Sequence, residues 1–249
     1  MGDLHNKIAL VTGAASGIGR AVALAYAREG ATVLVSDIDE VGGEQTVKQA
    51  QQLGREAVFI KADASRAEDH NKLVRVALEH FGALHIACNN AGIGGPSAPT
   101  GEYAIDDWHK VIDINLNGVF YGCRYQIPAI LGSGGGAIVN MASILGQVGF
   151  ANSAAYVAAK HGVVGMTRSI ALEYASQGLR ANSVGPAFID TPLLSHMDQE
   201  TRQWLISKHA TGRLGTAEEV AELVLWLSSE KASFANGAYY PIDGGYLAQ

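Results

Sequence analysis

Residues 8–19 read Ile8-Ala9-Leu10-Val11-Thr12-Gly13-Ala14-Ala15-Ser16-Gly17-Ile18-Gly19: an apolar, partly β-branched run, a glycine cluster, then an alanine-rich stretch from about Ile18 to Glu29. That order predicts strand, tight turn and helix. Gly30 stands where a residue closing the helix is expected, and Thr32 to Ser36 read as a second strand ending at Asp37. The unit is βαβ. A glycine-rich turn that opens a helix gathers backbone N–H groups and the positive end of the helix dipole at one point, which suits a pyrophosphate. Gly13 is expected to turn the chain, Gly17, with Ser16 and Ile18, to let phosphates approach the backbone, and Gly19 to let helix and strand pack closely. The spacing is not the G-x-G-x-x-G fingerprint.

Outward from this unit the alternation repeats. Helices are expected at Gly43 to Leu53 and Glu68 to Phe81, and strands at Ala57 to Ile60 and Leu84 to Asn89. Two longer helices are expected at Asp113 to Ile130 and Ser153 to Ala175, with strands at Ala137 to Met141 and Arg180 to Val184. The strands are continuously apolar, as a parallel sheet covered by helices on both faces requires. The expected fold class is α/β: a doubly wound, Rossmann-like parallel sheet in a single domain spanning 1–249. Residues 190–212 break the rhythm and read as one or two short helices forming a small lid.

Apolar residues make up 48% of the 249 and charged residues 17%, a composition for a soluble globular protein rather than a disordered chain or a membrane protein. The net charge of −6 and the lack of a Lys/Arg run argue against nucleic acid as a partner. Cys88 and Cys123 make no disulfide or metal framework and are expected to be buried thiols. The N-terminus has no basic and apolar leader pattern, so a cytoplasmic location is expected. His85, His109, His161 and His196 show no metal-ligand spacing; no metal site is expected.

Asp37 lies eighteen residues beyond Gly19, where a carboxylate can accept hydrogen bonds from an adenosine ribose. That predicts NAD: a 2′-phosphate would meet a like charge, and Ala14, Ala15 and Ile38 supply no cation. Tyr156 and Lys160 are four apart in an expected helix, hence on one face. A tyrosine with an ordinary pKa of about 10 is a poor base near neutral pH, and the Lys160 ammonium together with the positive charge of an oxidised nicotinamide would favour its phenolate. The pair then suits proton transfer to and from an alcohol oxygen. Ser143 follows the strand at Ala137 to Met141, near the sheet's carboxyl end, where it could hold a substrate oxygen.

From Lys7 to Gly245 the chain resembles the short-chain dehydrogenase/reductase family. The matching pieces are Thr12 to Gly19, Asp63, Asn89-Asn90-Ala91-Gly92, Asn115, Ser143, Tyr156-x-x-x-Lys160, Asn182 to Thr191 and Asp243-Gly244-Gly245. The resemblance implies hydride transfer between NAD(H) and a secondary alcohol or ketone, with Asn115, Ser143, Tyr156 and Lys160 as catalytic residues. Lys160 would also bond the nicotinamide ribose, and Asn115 would link a helix backbone to it through water. Asp63 and Ala64 would lie at the adenine edge, Asn90, Ala91 and Gly92 near the adenosine ribose, and Pro186, Ile189 and Thr191 beside the nicotinamide. Ala187 departs from the family's usual glycine. A homotetramer is implied as well, and the all-round apolar stretch Ala154 to Leu172 fits an interface.

Substrate contacts are expected from Ser143, Leu145, Phe150, Tyr156 and Phe188, with Gly94, Gly95 and Ile144 nearby and Leu193, Leu194, Met197 and Trp204 in the lid. None is charged, which predicts a small, neutral, largely apolar substrate. Arg202, Lys208 and Arg213 are the nearby cations and are expected on solvated faces. Two rival readings are a 3-oxoacyl-[acyl-carrier-protein] reductase and a non-catalytic nucleotide-binding protein. Asp37 opposes the first, as do Ser133, Gly134 and Gln177 where such reductases present basic residues; the full catalytic set opposes the second.

Overall fold

A computed structural model describes residues 2–194 and 197–248, which build one seven-stranded parallel sheet flanked by helices. Its first unit is strand β1 (Ile8–Thr12), helix α1 (Gly17–Arg28) and strand β2 (Thr32–Asp37). Glu29 caps α1, and Gly30 follows at φ 101°, a left-handed conformation that glycine adopts without penalty. Next come α2 (Glu40–Gln52), β3 (Ala57–Lys61), α3 (Ala67–Phe81) and β4 (Ile86–Asn89). The second half holds α4 (Ile105–Ile112), α5 (Gly118–Gly132), β5 (Gly136–Met141), α6 (Ala154–Tyr174), β6 (Leu179–Pro186), α7 (Gln199–Ser207), α8 (Ala217–Ser228) and β7 (Tyr239–Ile242).

The strand order is β3-β2-β1-β4-β5-β6-β7. Successive strand residues point to opposite faces, and both faces are covered. Ala9, Val11, Val33, Val35 and Cys88 join one core with Val22 and Tyr26 of α1, Val47 of α2 and Val224 of α8. Leu10, Leu34, Ala87 and Ile138 join the other with Leu73 of α3, Ile130 of α5 and Val163 of α6. Because β1 lies between β2 and β4, the chain reverses its direction of winding there, and a crevice opens at the carboxyl ends of these strands.

Most boundaries shift by a residue or two, and three of the differences bear on the site. Helix α2 starts at Glu40 rather than Gly43, because the Asp39 carboxylate accepts the Gly42 N–H at 3.1 Å and caps it. Strand β4 starts at Ile86 rather than Leu84. The helix expected from Asp113 is the second half of a longer rod: α4 begins at Ile105 and continues through a π turn at Asp113–Asn117 into α5. Only Val111 of α4 is buried, and its Asp106, Asp107, His109 and Lys110 hid the helix from a reading based on apolar spacing. In the 190–212 stretch lie a short 3₁₀ turn at Pro192–Leu194 and α7. Both cysteines are buried free thiols, their pKa values pushed up to about 12 by burial. Among the described residues no helix is long and apolar enough to cross a membrane.

Candidate active site

The crevice is a cavity of about 860 Å³ lined by segments that follow the strands: Gly13 and Ser16 to Gly19, Asp37, Asp63 and Ala64, Asn90 to Gly95, Met141 to Leu145, and Pro186 to Ile189 with Thr191. The glycine turn is shaped by conformation and by lack of space. Gly13 and Gly17 have φ of 65° and 52°, and a methyl group at Gly19 would run into the Gly13 carbonyl and the Asn90 amide. Gly19 thus packs against the turn and the end of β4. Asn90 locks that contact by donating its Nδ2 to the carbonyls of Thr12 (2.9 Å) and Gly13 (3.0 Å). Asp37 ends β2 with one oxygen accepting from Ala15 N (2.9 Å) and the other from Asp39 N (3.0 Å).

At the other end of the cavity the catalytic candidates meet. Tyr156 and Lys160 project from the first turns of α6, and Lys160 Nζ lies 5.5 Å from the centre of the Tyr156 ring. Lys160 is 3% exposed, and its Nζ donates to the Met141 carbonyl at 2.7 Å. Burial lowers its pKa to about 8. Burial also raises the pKa of Tyr156, while a hydrogen bond with Ser143 acts in the opposite direction. The cost of desolvating a phenolate dominates, and the lysine is itself desolvated and bonded to a carbonyl. Ser143 Oγ accepts from Leu145 N at 3.2 Å, which aims its hydroxyl proton as a donor toward the Tyr156 oxygen or whatever replaces that partner.

Asn115 does not line the cavity. It sits fully buried in the π turn, its Oδ1 accepting from Ile93 N (2.8 Å) and its Nδ2 donating to Ile93 O (2.7 Å). A methyl group at Gly92 would lie 3.1 Å from Asn115 Oδ1 and 3.7 Å from Lys160 Nζ, so a glycine there keeps the lysine and the asparagine turn within reach of each other.

Every other residue expected to contact cofactor or substrate lines the one cavity: Ser16, Ile18, Ala64, Ala91, Leu145, Phe150, Pro186, Phe188, Ile189 and Thr191 are all on its walls. From the 190–212 stretch, Leu194, Met197 and Trp204 line it too. The Leu193 side chain and His196 lie outside the described residues. Phe150 packs against Phe188 (6.0 Å between ring centres) and Trp204 (6.2 Å), forming an aromatic wall. Arg202 pairs with Asp190 at 2.8 Å and Arg213 with Glu219 at 2.6 Å, while Lys208 Nζ lies 5.0 Å from the Trp204 ring centre. Ala187 N donates to the Ile242 carbonyl at 3.2 Å.

Several contributors escaped the sequence reading. His70 lines the cavity beside Ala64 and bonds the Ala64 carbonyl through Nε2 at 2.9 Å; burial lowers its pKa. Tyr239 of β7 passes over Gly185 to donate its hydroxyl to the Ser143 carbonyl at 3.0 Å. Neither belongs to a spaced motif, so only the fold brings them in. Of the other histidines, His85 accepts from Ile8 N at 3.0 Å and His161 rests on the Val157 carbonyl at 2.9 Å, both structural contacts.

Comparison with known proteins agrees with this geometry. A family model described as Enoyl-(Acyl carrier protein) reductase matches residues 13–247. The chain is 48% identical over 245 residues to a cyclohexanol dehydrogenase of Acinetobacter sp. (strain SE19), covering 98% of this chain and 96% of that one. Carveol dehydrogenase from Mycobacterium avium, solved in complex with NAD, superposes with a TM-score of 0.97 at 27% identity and full coverage of both chains. A putative 2-deoxy-d-gluconate 3-dehydrogenase from Agrobacterium tumefaciens, solved with bound NADP, gives a TM-score of 0.92 at 31% identity, covering 99% of this chain and 98% of that one. With its parallel sheet, its glycine turn and the Tyr156-x-x-x-Lys160 helix at the same crevice, the chain belongs to the short-chain dehydrogenase/reductase family of nicotinamide-dependent oxidoreductases.

Proposed function

We propose that the protein interconverts a small, neutral, cyclic secondary alcohol and its ketone with NAD(H), using Tyr156 as the acid/base. One observation carries this reading: Ser143, Tyr156 and Lys160 line the same cavity into which the glycine turn opens. The turn fits a dinucleotide. Gly13 and Gly17 hold backbone conformations that side chains disfavour, and among the described residues the Ser16 N–H, on the cavity wall, has no hydrogen-bond partner. Gly13, Ser16, Gly17, Ile18, Gly19, Asp37, Asp63, Ala64, Asn90, Ala91, Gly92, Tyr156, Lys160, Pro186, Ile189 and Thr191 would hold it. When bound, the nicotinamide supplies the hydride acceptor for the alcohol or, reduced, the donor for the ketone.

The chain's own part is binding and proton transfer. Ser143 donates its hydroxyl to the substrate oxygen, and Tyr156 takes the proton from that oxygen in oxidation or gives it in reduction. With its pKa raised, the phenol of the ligand-free protein is protonated near neutral pH, the state that reduction needs. Lys160 stabilises the phenolate when it forms. Asn115, holding Ile93 against the lysine's side of the cavity, shapes the route by which the proton leaves through water.

Asp37 supports NAD, since its carboxylate stands at the end of β2 and would face a 2′-phosphate with like charge. The apolar and aromatic wall of Leu145, Phe150, Phe188, Leu194 and Trp204 supports a neutral ring. Two of the three cations considered, Arg202 and Arg213, are already paired with carboxylates. The cyclohexanol dehydrogenase relative points to the same substrate class. A four-chain assembly belongs to the same proposal, supported by Leu172 of α6 and Phe120 of α5, which are 86% and 50% exposed. The test is to mix the protein with NAD and a panel of cyclic secondary alcohols, and the matching ketones with NADH, following absorbance of reduced cofactor. Turnover with cyclohexanol-sized rings is expected; none in either direction overturns the reading.

A further inference from the structure

Arg20 lies in the first turn of α1 but does not line the cavity, and it bonds instead to backbone carbonyls around the glycine turn and to a buried threonine hydroxyl. Its Nη2 donates to the Ala15 carbonyl and, at 3.3 Å, to the Gly42 carbonyl; its Nε donates to Thr46 Oγ1 at 3.0 Å. Thr46, fully buried in α2, turns its own hydroxyl to the Ala14 carbonyl at 2.8 Å, with the Gly42 carbonyl at 3.1 Å. Two successive turn carbonyls are therefore captured on the side away from the cavity.

In a trans peptide the carbonyl and the following N–H point in opposite directions. Holding the Ala14 carbonyl on Thr46 sends the Ala15 N–H the other way, onto Asp37 Oδ2 at 2.9 Å. Holding the Ala15 carbonyl on Arg20 sends the Ser16 N–H away from Arg20, and that N–H has no partner among the described residues although Ser16 lines the cavity. There is no slack behind the clamp: a methyl group at Gly42 would come within 2.9 Å of Ala15 Cβ and Ala15 O. The guanidinium also has no carboxylate partner among the described residues, so its positive charge beneath the turn adds to the field felt by an anion bound above it.

We infer that Arg20 and Thr46 are positioning residues for recognition of the adenosine diphosphate half of the dinucleotide. Arg20 aims the Ser16 N–H at the phosphates, and Thr46, through the Ala15 N–H, fixes the Asp37 carboxylate that selects the ribose. The second half of this inference rests on the reading of Asp37 proposed above; the first does not.

Arg20→Met and Thr46→Val remove each contact with little change in volume, and Arg20→Lys and Thr46→Ser restore part of it. Melting temperatures confirm that each variant is folded, and Thr46→Val, a buried near-isostere, keeps the test available if Arg20→Met does not fold. The Kd for NADH should rise about tenfold in Arg20→Met and the preference for NAD over NADP should narrow about threefold in Thr46→Val, while the KM for cyclohexanol at saturating NAD stays within about twofold. The Lys and Ser variants should recover part of each loss. Unchanged Kd and cofactor ratio in the folded variants, or equal losses toward NAD and alcohol, overturn the inference. Asp37→Ser separates the two claims. An unchanged cofactor ratio there overturns the ribose role of Asp37, whereas a relaxed ratio there beside unaltered Arg20→Met and Thr46→Val overturns the clamp.

Discussion

Lys160 Nζ lies 5.5 Å from the centre of the Tyr156 ring, yet its hydrogen bond goes to the Met141 carbonyl, 2.7 Å away at the end of β5. The four-residue spacing on α6 brings the cation to the ring, and the strand holds it there. Both groups are governed by burial before any ligand enters: the phenol's pKa is raised and the ammonium's lowered to about 8. Near neutral pH the phenol is neutral and the lysine, still below its pKa, keeps its charge, so it is the tyrosine's negative charge that has to be developed during the reaction.

If Tyr156 is the proton carrier, Tyr156→Phe removes one oxygen and little else. The Kd for NADH should stay within about threefold of wild type and kcat should fall by about 10³-fold or more. Stopped-flow turnover with cyclohexanol, beside a fluorescence titration of NADH, checks both; near-normal kcat would exclude the role.

Keeping a desolvated ammonium at position 160 costs stability. Because burial lowers the folded-state pKa from 10.5 to about 8, the penalty is complete below about pH 8 and fades as the unfolded state also loses its proton toward 10.5. Wild type should therefore gain stability relative to Lys160→Met between about pH 8 and about pH 10, by roughly 3 kcal/mol at the upper limit. Urea melts of both proteins across that range give the difference directly, and a flat difference would mean that the lysine is not desolvated. The same variant should lose both turnover and affinity for NADH.

Wild type should prefer NAD over NADP by at least about tenfold in kcat/KM, worth roughly 1.4 kcal/mol. Asp37→Ser with Ile38→Arg should narrow or reverse this, since it removes a negative charge and offers a fork for a phosphate. Steady-state kinetics with both cofactors on the two proteins decide the matter, equal use by wild type being the adverse result.

The aromatic wall makes a further claim. Phe188 is packed by Phe150 and also by His209 and Tyr246, at 5.9 and 6.0 Å between ring centres. Phe188→Ala should raise the KM for a cyclic alcohol about tenfold and leave the Kd for NADH nearly unchanged. Hydroxy acids and sugar phosphates of similar size should be poorer substrates than cyclohexanol for wild type, and a clear preference for the anions would show that a cation such as Arg202 leaves its carboxylate to serve the site.

Most of the sheet was legible because strands such as β1, β2 and β5, buried on both faces, are runs dominated by Val, Ile, Leu and Ala, and the glycine turn marked where they converge; β7 was not, since Tyr239–Ile242 is a partly buried Tyr-Tyr-Pro-Ile. Tyr156 and Lys160 were legible because one helical turn has a fixed spacing. Helix α4 was not: eight residues with only Val111 buried give no apolar stripe. Arg20 and Thr46 were hidden for another reason, since their partners are main-chain carbonyls, and a carbonyl carries no sequence signature. His70 and Tyr239 reach the site across the fold, from α3 and from the last strand, distances that periodicity cannot span.

The π turn at Asp113–Asn117 behaves as a knot of surplus backbone in a rod that would otherwise be one uninterrupted α-helix. A π turn holds one residue more than the α-helical path needs and takes it up within the widened turn. Excising a single residue there would restore regular winding with α4 and α5 close to their present places, whereas the same deletion in a regular stretch would rotate everything beyond it by about 100°. What would go is the bulge itself, on which Asn115 clasps Ile93 and Leu116 fills the niche that Gly162 provides on α6. The surplus residue lets the rod hold an inward-turned asparagine without displacing either half, so this one deletion would cost the site its brace while sparing the outline of the fold.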